Sequence, residues 1–530
     1  MKLLRSWLRS APVWVLVSTL WAEPRTILFV DDHDVLYRAG TRRVLHPATR
    51  HPSNPVLGEE KPWELALAWV SVYRNPRTGK YQMWYQAYSR PVAKQKTHQS
   101  VVCYAESGDG TRWVKPNLGL FDFNGVRDTN IVLIGSGGFS DRYTNSVVVD
   151  ERDPDPRRRY KMIFYDWFRQ HDREYPGLQA AFSPDGIQWT KQPGGPMIHA
   201  LYGGAGQQPP YVGEDPVGKE TRRDGRVQPA WRYPLSMSDG ADVIWDPIRS
   251  LWAIYGKMWI DRPDGGMVWK HGMGRVESQD FAQWSEPELL LTPDDEDSPD
   301  VEFHTTPVFY HKSRYFCLNQ ILRRERGRPD LLIDIELMVS RDGKNWERPF
   351  RRNYFLPRGP SGGFDGGSMF TNGNPIVLER EIRFYYGAYP GTAVGGARGP
   401  SGDPYGVTGI GMAAIPLDRF AGIRSVERSD QRSIGGVIEN RGQVTLRAVD
   451  LTGVRNITLN ADASAGWIQA ELLNERGFRV PGYTLEQSDK VSGDSFAHRL
   501  AWRNAKGLPQ GRHLLRVHLY KAELFALTLE

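Results

Sequence analysis

Apolar and polar residues alternate in short runs along most of this chain, and the runs come in pairs. Val70–Tyr88 (VSVYRNPRTGKYQMWYQAY), Val147–Trp167 (VVVDERDPDPRRRYKMIFYDW), Asp242–Trp259 (DVIWDPIRSLWAIYGKMW), Thr306–Gln320 (TPVFYHKSRYFCLNQ) and Pro375–Tyr389 (PIVLEREIRFYYGAY) each read as two strands joined by a polar turn. A further strand follows most of them and ends in a second signal. That signal is Ser107-Gly-Asp-Gly-Thr-Arg-Trp113, Ser183-Pro-Asp-Gly-Ile-Gln-Trp189 and Ser340-Arg-Asp-Gly-Lys-Asn-Trp346, with a worn copy, Ser278-Gln-Asp-Phe-Ala-Gln-Trp284. In this turn Asp accepts nearby backbone N–H groups, Gly supplies a positive φ and Trp covers the result. It marks the fold and is not a site. The fifth pair is followed by Thr408–Phe420, a strand without the turn.

Five copies of one antiparallel sheet predict a five-bladed β-propeller, since each sheet must bury both faces against neighbours. The turns are spaced more widely than the roughly 40–45 residues of a WD40 blade, so loops are inserted. The predicted propeller spans 23–426, with an approach segment before about residue 61 that holds one strand, Thr26–Val30. A polar, Gly-containing linker (Glu427–Asn440) follows. From Gln443 the alternation continues without the turn, in VTLRAVDL, NITLNAD, WIQAELLN, HRLAWRN and HLLRVHLYKAELFALTLE. This predicts a C-terminal β-sandwich over 441–530. The last run has helical propensity in part, but its place after a long strand favours a closing hairpin. The fold class is all-β.

The first 22 residues change the picture of where the protein works. A basic start (Lys2, Arg5, Arg9), an apolar run from Ala11 to Val17 and a small residue at Ala22 read as a secretory signal peptide. The apolar run is too short to span a bilayer, and no later segment is apolar enough. The expected location is secreted or periplasmic. Net charge is +6, of which those three leader residues carry half. The remaining basic residues are scattered, so nucleic-acid binding is not expected. The two cysteines, Cys103 and Cys317, sit in apolar strand patterns and read as buried free thiols.

In a propeller the inner strands converge on one axis, so residues just before each inner strand meet. Those positions are acidic: Glu59, Glu60 and Glu64; Asp141 beside Arg142; Asp239 and Asp242; Asp300 and Glu302 beside His304; and Asp365. Trp63, Tyr143, Trp231, Tyr233, Phe303 and Phe364 lie close by in sequence. Paired carboxylates with flat apolar faces are what glycosidic hydrolysis requires: one protonates the leaving oxygen, the other activates water or attacks the sugar. Crowded like charges raise one pKa and so set the acid. The expected catalytic set is Glu64, Asp239 or Asp242, and Asp300 or Glu302. Trp63, Asp141, Arg142, His304 and Asp365 are expected to bind substrate or tune the carboxylates. Each acid alone is equally well read as a strand-entry turn cap. His304 reads equally well as a metal ligand, a substrate donor or a satisfied loop histidine. Arg152-Asp153-Pro154 and Asp246-Pro247 lie in hairpin turns, and Gly409–Ala414 is a strand and not a nucleotide loop. No zinc spacing exists, and no cofactor is required; a calcium ion in the funnel is compatible with the pattern, though no ligand cluster demands one.

Several stretches carry a family likeness. Tyr104–Leu133, Met338–Pro349, Phe364–Tyr389 and Asn460–Asp489 resemble secreted bacterial proteins related to glycoside hydrolase families 32 and 43. The resemblance implies a five-bladed propeller with acidic residues in its funnel and, for family 32, a C-terminal β-sandwich. The family 32 nucleophile motif, its Arg-Asp-Pro and its Glu-Cys acid have no counterpart at a funnel position, so fructan hydrolysis does not carry over. The expected function is a secreted glycoside hydrolase acting on poly- or oligosaccharide. The alternative is a non-catalytic carbohydrate-binding propeller, and a phosphorylase or lyase of similar fold is a third reading.

Overall fold

The computed structural model describes residues 24–89, 92–137, 144–170, 173–199, 220–223, 226–229, 236–260, 270–324, 331–392, 407–427, 432–433 and 435–530. The described residues divide into two compact units, one within 28–32 and 43–423, the other within 24–27, 33–42 and 424–530.

The larger unit contains five antiparallel sheets in the order the sequence predicts. Blade 1 runs Ala66–Arg74, Tyr81–Tyr88, Ser100–Ser107, Ile131–Leu133. Blade 2 runs Ser146–Val149, Tyr160–Gln170, Arg173–Ser183, Thr190–Lys191. Blade 3 runs Ser236–Asp246, Leu251–Ile260, Lys270–Ser278, Glu288–Leu291. Blade 4 pairs both Glu302–Phe303 and Val308–His311 with Arg314–Arg324, then adds Leu331–Ser340 and Trp346–Glu347. Blade 5 runs Ser368–Thr371, Glu381–Tyr389, Gly409–Pro416. Its outer edge is paired by Thr49–Arg50 and Leu57–Gly58 from the other end of the chain. This explains the missing turn after Thr408–Phe420: a fourth strand arriving from the N-terminal side needs no local reversal. The approach segment, read from sequence as mostly loop, therefore closes the ring. Its short strands carry too few alternating positions to show as periodicity.

Apolar side chains from facing blades fill the gaps between them. Tyr85 and Cys103 of blade 1 pack with Tyr385 and Met412 of blade 5, and Trp84 of blade 1 with Met162 and Phe164 of blade 2. Cys103 and Cys317 are free and buried.

The Ser-x-Asp-Gly turns have a second job that the sequence did not disclose. Locally they are as expected: Ser183 Oγ accepts from Gly186 N–H at 2.8 Å, and Asp185 Oδ1 from Ile187 and Gln188 N–H at 2.8 and 2.9 Å. Beyond that, the carbonyl at the glycine accepts from an aromatic donor on the second strand of the preceding blade. Trp84 Nε1 donates to Gly186 at 2.6 Å, Tyr255 Oη to Gly343 at 2.7 Å and Tyr385 Oη to Gly110 at 2.8 Å. In the worn copy Phe281 takes the same left-handed backbone, φ +62°, and its ring packs on Phe182 of blade 2 and on Trp252. Each turn thus bolts one blade to the next. At Gly186 φ is +81° and a Cβ would lie 2.5 Å from the Trp84 ring. Gly186→Ala is expected to cost about 2–4 kcal/mol, combining backbone strain with overpacking. A urea midpoint unchanged from wild type would refute the bolt.

The smaller unit is antiparallel β. Its central strand, Ile457–Leu473, pairs through Trp467–Leu473 with Leu514–Tyr520 and through Ile457–Asp462 with Glu523–Leu529. The last two strands flank the two halves of this long strand, so they do not form the closing hairpin that the sequence suggested. A strand of 17 residues is long enough to pair with both at different positions along its length. Val35–Ala39 joins this unit by pairing with Arg441–Leu446.

Candidate active site on the propeller axis

The inner strands of the five blades meet on the axis. Asn372 of blade 5 donates from Nδ2 to Ser71 Oγ of blade 1 at 3.0 Å and to the Asn145 carbonyl of blade 2 at 2.9 Å. Ser146 Oγ donates to Asp242 Oδ1 of blade 3 at 2.6 Å, and Gly373 N–H to Asp242 Oδ2 at 2.8 Å. Blade 4 joins through His304, whose ring lies 6.1 Å from that of Trp69 in blade 1 and 5.7 Å from Phe370 in blade 5. Trp69 reaches this point because it sits in a β-bulge with φ +30°, which re-aims its ring out of the ladder onto Phe370 at 4.6 Å.

Apart from Asp242, the site residues expected from sequence fall into three groups. Asp141 and Arg142, with Tyr143, Trp231 and Tyr233, lie outside the described residues. Glu64 and Asp365 are held as structural anchors. Glu64 Oε2 accepts from Glu60 and Lys61 N–H at 2.8 and 3.0 Å and from Lys115 Nζ at 2.7 Å, and Oε1 accepts from Tyr85 Oη at 2.6 Å. Trp63 belongs to the same network: its Nε1 donates to Asn130 Oδ1 at 3.1 Å, and the residue is 1% exposed. Asp365 Oδ2 accepts from Arg50 Nε at 2.6 Å and Tyr386 Oη at 2.9 Å, tying the ring-closing segment to blade 5. Asp300 is half-buried in the loop before blade 4, where Ser298 Oγ donates to it at 2.5 Å. Glu64→Gln, which replaces one acceptor oxygen by a donor, is expected to lower stability by about 1–3 kcal/mol and to spare the turnover of the folded fraction. Loss of turnover in well-folded Glu64→Gln would return it to the catalytic set.

The third group forms one cluster. Asp239 Oδ1 lies 2.5 Å from Lys257 Nζ, both side chains being almost fully buried. Glu302 Oε2 lies 2.5 Å from His271 Nδ1, at an angle poor for a hydrogen bond, and the Glu302 side chain keeps 21% exposure. His271 is covered by Trp259, its cross-strand partner, at 3.8 Å between ring centres. His304 completes the cluster. Burial alone would raise Glu302, but the His271 contact and the Lys257 charge hold its carboxyl below the ordinary range. Burial lowers both His271 and His304. Glu302 is therefore ionised at neutral pH.

Asp242 lies on the axis with no cationic partner among the described residues. Burial pushes its carboxyl up to about 7, opposed by the Ser146 and Gly373 donors. Among the described residues no group of three or more His, Cys, Asp or Glu is arranged to hold a metal ion. No helix among them is long and apolar enough to cross a membrane.

Sequence reasoning missed Lys257, His271, Trp259 and Trp69. The first three lie inside the second and third strands of blade 3, away from strand entries. A signal did exist: Lys257 interrupts an otherwise apolar run, LWAIYGKMWI, that must be buried on both faces.

No family model matches the chain, and no curated protein does. Solved structures with a similar course include an N-acetylgalactosamine deacetylase from F. plautii in complex with blood group B trisaccharide (TM-score 0.41, 16% identity, covering 72% of this chain and 97% of that one). A second belongs to a study titled "The GH130 family of mannoside phosphorylases contains glycoside hydrolases that target beta-1,2 mannosidic linkages in Candida mannan" (0.44, 15%, 71% and 95%). A third is a thermostable family-43 glycoside hydrolase (0.38, 13%, 72% and 94%).

Proposed function

We propose that this protein is an exported glycoside hydrolase acting on poly- or oligosaccharide, with Glu302 and Asp239 as its working carboxylates. The observation that carries this reading is the buried cluster itself. Two carboxylates, each paired with a different nitrogen base, share one end of the axis with the aromatic faces of Trp69, Phe370 and Trp259. Carboxylates beside aromatic faces suit a polyol, whose hydroxyls donate and whose C–H faces stack.

The two environments give the carboxylates different tasks. Glu302, ionised and partly open, serves as nucleophile or as base toward water. Asp239 starts as an ion pair with Lys257. A sugar filling the site displaces water, and desolvation favours the neutral form of such a pair. The proton then sits on Asp239, ready for the leaving oxygen. If the two carboxyl groups lie about 5–5.5 Å apart around substrate, retention follows; about 6.5–9.5 Å implies inversion.

The second reading is a sugar-binding propeller without turnover. The resting ion pair of Asp239 favours it, because neither carboxylate then carries a proton. A hydrolysis screen of the purified protein on polysaccharides and aryl glycosides separates the two, run beside Glu302→Gln and Asp239→Asn. Sugar release by wild type and its loss in both folded variants is the expected result. Glycan binding without release by any of the three proteins would establish the binding module.

A further inference from the structure

His304 is 5% exposed. Its Nδ1 lies 3.0 Å from Gln320 Oε1. The amide of Gln320 is itself oriented, because its Nε2 donates to the main-chain carbonyl of Thr371 at 3.2 Å, with Thr371 Oγ1 at 3.5 Å. A main-chain carbonyl only accepts, so the amide NH₂ faces Thr371 and Oε1 faces the histidine. Oε1 also only accepts, so Nδ1 carries the ring proton. Thr305 Oγ1, at 3.3 Å from Nδ1, is the longer contact, and a hydroxyl can turn to accept. A neutral ring protonated at Nδ1 has its lone pair on Nε2. Nε2 has no partner among the described residues and is not sealed off from solvent, so the exposed edge of the ring is Nε2.

The surroundings keep the ring neutral. Facing it are Lys257, Asp239 and His271 from blade 3, Trp69 from blade 1 and Phe370 from blade 5. Burial holds its basicity well below that of free histidine, and the Lys257 charge adds to this against a smaller pull from Asp239.

We propose that the Thr371–Gln320 relay fixes His304 as a neutral hydrogen-bond acceptor, so that the site selects ligands presenting a hydroxyl donor to Nε2. Gln320 is then a positioning residue acting through the histidine. That the donor is a sugar hydroxyl rests on the proposed hydrolase function; the tautomer does not. A carbonyl acceptor placed at the same point would be discriminated against, because lone pair would face lone pair.

The test is a long-range ¹H–¹⁵N correlation spectrum of the imidazoles in the full protein, with His304→Phe used for assignment. One ring is expected to show protonated Nδ1 and bare Nε2, and not to titrate between about pH 5.5 and 8.5. An Nε2–H tautomer, or titration near the ordinary histidine value, would overturn the proposal. This readout needs no substrate, so it stands or falls apart from hydrolysis. Gln320→Glu supplies the second arm, by putting a carboxylate on Nδ1 and raising the ring's pKa. Below that pKa Nε2 becomes a donor. Turnover on any substrate found is expected to fall roughly tenfold or more at low pH and to recover as pH rises and the ring loses its proton. A Gln320→Glu profile superimposable on wild type would refute the relay.

Discussion

Glu302→Gln is expected to lower kcat/KM on a responsive glycoside by about three orders of magnitude, within the range of a removed nucleophile, acid or base. The fold should suffer little, because the Glu302 side chain keeps 21% exposure. The amide keeps the volume and loses the charge, so ground-state sugar binding should persist while turnover goes. A fall in affinity with kcat preserved would instead mark Glu302 as a binding group. The His271 contact sharpens the test. With Glu302 neutral, the ring loses the charge that opposes its low basicity, so His271 should become still harder to protonate. Equal activity in Glu302→Gln and wild type would remove the catalytic proposal altogether.

Asp242→Asn is expected to stabilise the protein at pH 8. The native carboxyl has a pKa of about 7 against an ordinary value of 3.8. The folded state therefore holds its proton more tightly than the unfolded chain. A native pKa raised in this way stabilises in full below about pH 4, and that stability is lost as pH rises through about 7. Roughly three pK units at about 1.36 kcal/mol each set an upper limit of about 4 kcal/mol. Asparagine keeps an oxygen for the Gly373 N–H and offers Ser146 an NH₂ that its hydroxyl oxygen can accept. Stability measured by urea unfolding should match wild type near pH 4 and exceed it at pH 8. A variant weaker than wild type at pH 8 would mean that the ionised carboxylate is needed there, as it would be beside a bound cation.

The propeller was legible in the sequence because four of the five blades advertise themselves twice, once as an alternating hairpin and once as a Ser-x-Asp-Gly turn or its worn copy. Blade 5 lacks the second signal for a topological reason, and the strand that replaces it, Thr49–Arg50, is only two residues long. The site was less legible. Acidic residues at strand entries share a topological position, but position does not decide who partners them. Glu64 and Glu302 look alike in sequence, yet Lys115, 51 residues downstream, claims the first and His271 flanks the second. Lys257 stands out as a charge inside an apolar run, but nothing in the linear sequence pairs it with Asp239 or sets His271 beside Glu302. The bulge at Trp69 leaves no mark either, since neither glycine nor proline stands there.

The ring-closing strand has a consequence for how the chain comes to its native state. Asn54 donates to the Met412 carbonyl across 358 residues of sequence. Contacts this remote carry a large loop-closure cost and form late, so folding of the larger unit should be slow compared with that of local hairpins. Whichever end emerges first, the edge of Gly409–Pro416 or its partner must wait with unpaired N–H and C=O groups, an opening for intermolecular strand pairing. Once closed, the same strand makes opening any single blade difficult without opening the ring. Refolding yield should therefore fall steeply with protein concentration, while unfolding of the intact molecule stays slow.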